Sequence, residues 1–258
     1  MITPPEDQDR TEKDDTMKRY AYGTAARRFT VCAVSAAALV LAAGCSVSGS
    51  SSGGGGGLQR QGAASPAPTD AAGLTAKALK TGSIPGATVT TPTGAQAPRP
   101  KDVAADKPCG PLARAVAGTA LGSPEDTVFR RVTGDGLTTT VTLTVYQDEE
   151  KATAALTALS DAADACTGGF TLKVSGTEHR VTAAARELAP QGADQAMGFG
   201  ITRRVGEADG TDTPEKVAVM RRGSTVVLFT TTASDGAPAP KDLAVPPAVV
   251  ETQFVALA

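Results

Sequence analysis

The chain has no tryptophan, a single histidine and only 3% aromatic residues in 258. With one histidine, a His-rich zinc site is excluded, and any Ser-His-Asp arrangement would have to be built around His179 alone. The setting Glu178-His179-Arg180 reads instead as a solvated side chain on a sheet edge at the start of a strand. Excess charge of one sign is also missing. Lysine and arginine number 25 against 27 acidic residues, a formal charge of −2, and residues 1–44 carry six of each sign, so the remainder keeps that balance. Near-neutrality gives no support for nucleic acid as a partner. There is no CxxC pair, and no residue cluster calls for a metal or cofactor. The apolar run at 29–43 has 15 residues, short of the roughly 18–20 that span hydrocarbon.

What is present at the N-terminal end is an address. Lys18, Arg19, Arg27 and Arg28 form a basic region ahead of that apolar run, which ends in Leu41-Ala42-Ala43-Gly44-Cys45. Small residues before a cysteine, behind a short apolar segment, read as a bacterial lipobox, with cleavage between Gly44 and Cys45 and acylation of Cys45. A diacylglyceryl group holds the mature chain stably, since burial gains about 0.8 kcal/mol per CH₂. The expected location is the outer face of the cytoplasmic membrane, attached but not spanning. Residues 1–16 are acidic and unlike an export signal, so translation is expected to start at Met17. Arg27-Arg28 is followed by Phe29-Thr30-Val31, without the hydrophobic pair of a twin-arginine signal, which favours ordinary Sec export.

The expected organisation is a signal peptide at 1–44, a lipidated N-terminus and tether at 45–72, and a globular extracytoplasmic domain at 73–258. The tether holds five consecutive glycines from Gly53 to Gly57. A Gly/Ser coil of this length reaches about 30 Å. Gly49-Ser50-Ser51-Ser52-Gly53 matches the hydrolase elbow G-x-S-x-G, but in low-complexity sequence it lacks the strand and helix that give the motif meaning.

Four cysteines sort by position. Cys32 leaves with the signal and Cys45 is lipidated, which leaves Cys109 and Cys166 as an even pair in an oxidising compartment. Their disulfide would restrict the unfolded chain by about 4 kcal/mol on the loop-entropy estimate.

Within 73–258 the hydrophobic period switches between 2 and 3.6. Residues 137–146 alternate Val141, Leu143 and Val145 with Thr140, Thr142 and Thr144, the pattern of a half-buried strand with one apolar face. Asp148 caps a helix whose stripe is Ala152, Ala155, Leu156, Leu159, Ala163 and Cys166, ended by Gly168-Gly169. Strands follow at 170–174 and 179–188 around Ser175-Gly176, then one with Met197, Phe199 and Ile201 alternating. A hairpin of 216–221 and 225–231 turns at Arg222-Gly223-Ser224. Pro246 opens a last helix with Val250, Phe254 and Leu257 on one stripe. The expected fold is α+β, an antiparallel meandering sheet with two main helices covering one face.

Two polar features remain. Glu207, Asp209, Asp212 and Glu215 lack the spacing of a calcium loop and read as a polar hairpin connection. Three arginine pairs, Arg130-Arg131, Arg203-Arg204 and Arg221-Arg222, sit among strand-like residues. Adjacent strand positions face opposite ways, so one member of each pair could share a basic stripe that receives an anionic envelope ligand or an envelope protein. Solvated strand ends are the plainer reading. A hydrolase using a carboxylate pair is the alternative function, because such dyads leave no motif.

The segments Leu74 to Leu79, Ile84-Pro85-Gly86, Cys109-Gly110-Pro111-Leu112, Val145-Tyr146 leading to the helix that ends at Cys166, and Arg221-Arg222-Gly223-Ser224-Thr225-Val226-Val227 together resemble actinobacterial lipoproteins of unknown function. More distantly they are similar to the extracellular sensor domain of PknH-type kinases. The resemblance implies an extracytoplasmic sensing or binding module rather than a reaction.

Overall fold

The computed structural model describes residues 71–205 and 210–257. The segments expected to be an export signal and, up to residue 70, a tether, together with Cys45, Glu207 and Asp209, lie outside the described residues.

The fold is α+β. In chain order it runs α1 (Ala71–Lys77), β1 (Thr88–Thr90), β2 (Val103–Ala105), α2 (Gly110–Val116), β3 (Asp126–Gly134), β4 (Leu137–Val145), α3 (Glu149–Ala165), β5 (Phe170–Val174), β6 (Thr177–Glu187), β7 (Gln195–Val205), β8 (Asp212–Arg222), β9 (Thr225–Ala233) and α4 (Pro247–Val255). The strands form one antiparallel sheet in the order β1-β3-β4-β9-β8-β7-β6-β5-β2. From β5 to β9 each strand pairs with the next, and α3 carries the chain from β4 across to β5. Both edges are strands of three residues, too short to template pairing with another chain.

Local sequence explains the joints. Ser175 (φ 49) and Gly176 (φ 86) both take left-handed backbone, as a two-residue hairpin turn that matches strand twist requires. Asp148 caps α3, its carboxylate accepting from the Lys151 amide at 2.8 Å. All six residues of the expected α3 stripe are buried, joined by Ala162. Cys109, just ahead of α2, and Cys166, at the end of α3, are disulfide-bonded with Cα atoms 5.9 Å apart.

Helices cover both faces of the sheet, not one. Alpha-2 and α3 enclose a core with Leu112, Leu156, Leu159, Phe199, Val217 and Leu228. On the opposite face, α1 and α4 enclose Leu74, Val141, Leu143, Met220, Phe229 and Val250. The central strands are therefore apolar on both sides, and the unbroken runs Val217 to Met220 and Val226 to Phe229 reflect this. The half-buried reading of β4 is corrected in the same way. Val141, Leu143 and Val145 face α1 and α4, while Thr142 and Thr144 are equally buried on the opposite face. Threonine tolerates this because each hydroxyl finds a carbonyl: Thr142 donates to Gly118 at 2.7 Å and Thr144 to Val226 at 3.2 Å.

Candidate functional site

Strand register assembles a polar cleft on the α2 face. Across the sheet, Glu215 stands opposite Thr232, Thr232 opposite Thr138, and Thr138 opposite Thr133. The neighbouring row on that face runs Val217, Thr230, Thr140 and Arg131. Arg203 of β7 comes from two residues beyond Ile201, whose partner is Glu215, so it enters on the same face. The roof is the end of α2, with Val116, Ala117 and Gly118. Gly118 takes φ 64, and a side chain there would press on the Thr140 methyl at 3.2 Å. The cleft is open to solvent, has a volume of about 600 Å³ and also touches Ser234 and Asp235.

The chemistry of this cleft is distinctive for what is left unpaired. Glu215 is buried to 1% exposure, and neither of its oxygens has a hydrogen bond. Its partner is Arg203, Nε to Oε2 3.4 Å, near enough for ionic attraction but not aligned as a hydrogen bond. Burial pushes the Glu215 carboxyl up to about 7, with Arg203 pulling in the other direction. The guanidinium of Arg131 and the hydroxyls of Thr133, Thr140 and Thr232 take no partner among the described residues. By contrast, Thr230 donates to the Ala115 carbonyl at 2.9 Å, and Thr138 pairs with Ser234 at 3.0 Å.

The arginine pairs divide across the sheet as alternation requires, but they do not form one stripe of three. Arg131 and Arg203 line the cleft. Arg221 shares their face, yet it lies six residues along β8 from Glu215, a distance of about 20 Å. There it is buried and committed to Glu149 at 2.9 Å, Gln195 at 2.7 Å and Asp194 at 3.4 Å. The other three members point to the opposite face. Arg130 donates to the carbonyls of Leu79 and Phe129 at 2.8 and 2.7 Å, and burial lowers its pKa. Arg204 forms a two-pronged pair with Asp212 at 2.8 and 3.0 Å, and Arg222 lies 4.8 Å above the Phe254 ring.

Two expectations for acidic and basic groups are corrected. Asp212 and Glu215 do not belong to a hairpin connection: β8 begins at Asp212, and the two carboxylates point to opposite faces. His179 is not on an edge, because β6 is flanked by β5 and β7. It is half-buried with Nδ1 unpartnered, and burial together with the Arg203 charge lowers its pKa. Glu215 is the site residue that sequence reasoning missed. No periodicity marked it, because Val217 and Val219 on its own face and Ala218 and Met220 on the other are buried alike.

On the other face, an apolar groove of about 420 Å³ lies between Leu188, Pro190, Ala218 and Val250. Its cation Lys216 is already paired with Glu187, and Gln191 and Glu251 are the other polar side chains that line it. Among the described residues no cluster of three or more His, Cys, Asp or Glu side chains could hold a metal, and no helix is long and apolar enough to cross a membrane.

No protein-family model and no curated protein matches the chain. Among solved structures, an Rv0999 ortholog from Mycobacterium smegmatis is 15% identical with a TM-score of 0.34, covering 67% of this chain and 86% of that one. The chain is also distantly similar to the extracellular domain of PknH from Mycobacterium tuberculosis, at 13% identity and a TM-score of 0.43, with 74% of this chain and 95% of that one covered.

Proposed function

We propose that the chain is a lipid-anchored binding module of the cell envelope, held by Cys45 to the outer face of the cytoplasmic membrane. Its polar cleft receives an anionic envelope ligand at Arg131 and Arg203. The observation that carries this reading is the pair of guanidinium groups lining one cavity, with hydroxyl groups and Arg131 still unpartnered. A cavity of this size falls in the range used for small ligands, and guanidinium groups suit carboxylate and phosphate geometry. The Cys109–Cys166 bond fits an oxidising compartment. Binding is favoured over carboxylate-pair hydrolysis because Glu215, the buried carboxyl of the cleft, faces Arg203 at 3.4 Å rather than a second carboxyl. The shift of Glu215 is set by burial and an arginine.

Two measurements test the reading. Cys45→Ser should abolish lipid labelling of the chain in cells; a variant that still carries acyl groups removes the anchor. Binding of the full chain to anionic wall material should weaken steeply with added salt, because charge attraction is screened over about 8–10 Å at physiological ionic strength. It should also fall when Arg131 and Arg203 are both replaced by Ala, and persist in Arg222→Ala, whose side chain packs on Phe254. Binding that ignores both salt and the double replacement defeats the cleft assignment.

A further inference from the structure

Arg203 has two claims on it. It is the compensating charge for Glu215, a carboxyl with 1% exposure and no hydrogen bond to either oxygen. It also carries positive charge into the cleft beside Arg131. An anion that enters therefore meets a guanidinium already engaged by a buried carboxylate. If the guanidinium turns to the anion, the carboxylate is left charged and uncompensated inside the protein, a state that buried acids avoid by taking up a proton.

We propose that an anionic ligand and the Glu215 carboxylate compete for Arg203, so that the cleft binds its ligand together with one proton, which goes to Glu215, and that the ligand is a hydroxyl-bearing anion. The proton comes from solvent, the anion gains the guanidinium, and Glu215 becomes a neutral acid. This rests on the anion-site reading of the cleft given above.

The walls offer solvent-accessible threonine hydroxyls that a hydroxyl-bearing anion can take over from water. Thr133, Thr140 and Thr232 face the cavity with unpartnered hydroxyls, arranged on two adjacent cross-strand rows. A volume of about 600 Å³ exceeds what a bare inorganic anion fills. A sugar acid or a polyol phosphate supplies both the charge and the hydroxyls.

The charged and titratable groups around Glu215 are consistent with a single proton exchange. Arg203 comes from β7, Arg131 from β3, and Asp235 from the exposed segment after β9. His179 of β6 feels the same Arg203, which together with burial favours its neutral form. Alpha-2 brings only Val116 to the lining, with no ionisable side chain. The Glu215 carboxyl, at about 7, titrates in the range where the exchange is measurable.

The test is isothermal titration of the full chain with glucuronate and, separately, glycerol 3-phosphate, with glucose and inorganic phosphate as partial probes. Each titration is run just above neutral pH in two buffers of different ionisation enthalpy. One of the composite anions should bind better than either partial probe, with uptake approaching one proton. Its affinity should fall by up to about tenfold per pH unit above neutrality. Which of the two binds tighter identifies a sugar acid or a phosphorylated polyol as the source. Glu215→Gln, a neutral stand-in for the protonated acid, should bind with no proton uptake and little pH dependence. Should that variant fail to fold, the proton count on the parent chain still decides. Binding of a composite anion without buffer-dependent heat overturns the coupling and leaves the anion site standing. Inorganic phosphate or glucose binding as well as the composite probes overturns the ligand class. No binding of any probe overturns both the proposal and the cleft reading.

Discussion

Glu215 shows how a single buried side chain ties site chemistry to stability. Its carboxyl titrates at about 7 in the folded chain, against an ordinary value of 4.5, because burial outweighs the attraction of Arg203. Between those values the folded state binds more protons than the unfolded state. Stability from this group is thus complete below pH 4.5 and is lost as pH rises through 7. The loss amounts to about 3 kcal/mol. In urea unfolding, Glu215→Gln should therefore be more stable than the parent at pH 8, by up to about 3 kcal/mol, with the two converging near pH 5. A difference that stays constant across this range would show that Glu215 does not titrate as its burial implies. Little of this was legible beforehand. Glu215 is one of four acids in a stretch rich in Asp and Glu, and only the placement of β8 shows that it faces inward while Asp212 pairs outward with Arg204.

Among the elements, α3 was read with the right cap, stripe and end, because a 17-residue amphipathic helix states its period many times over. Its first turn also joins it to the sheet, since Glu149 pairs with Arg221 of β8. Replacing Asp148 by Ala should cost about 1 kcal/mol of stability in a denaturant titration, the usual worth of an N-cap. An unchanged midpoint would mean that the Lys151 amide is equally well served by water. Beta-3 was the harder element. Its side chains are mostly half-buried, and Arg130-Arg131 interrupt it in the middle, so neither period stands out. Those arginines are tolerated because the strand lies next to a three-residue edge: Arg130 turns to the Leu79 carbonyl and Arg131 to the cleft. Alpha-2, at seven residues, is too short to display an amphipathic repeat, yet it supplies the cleft roof.

For the molecule as a whole, the covalent staple and the two-sided sheet set what is rigid. The Cys109–Cys166 bond links the start of α2 to the end of α3, both on the cleft face, across 57 positions of sequence. Replacing both cysteines by Ala should lower stability by roughly 2–5 kcal/mol with the fold retained, as read from urea unfolding and circular dichroism. Loss smaller than that range would indicate that the buried Ala and Leu contacts of α3 alone hold the face. The sequence by itself determined the class of fold, the meander from β5 to β9, the capped helix and the cysteine pairing. Each of these rests on local periodicity, turn chemistry or arithmetic that needs no distant partner. Tertiary structure alone decided that both faces of the sheet are covered, that Arg131 and Arg203 share a cavity while Arg221 is spent on Glu149 and Asp194, and that Glu215 is buried beside them. The physical reason is that alternation fixes which face a side chain takes, whereas its neighbours on that face depend on strand order and register across the sheet, set by pairings between residues far apart in the chain.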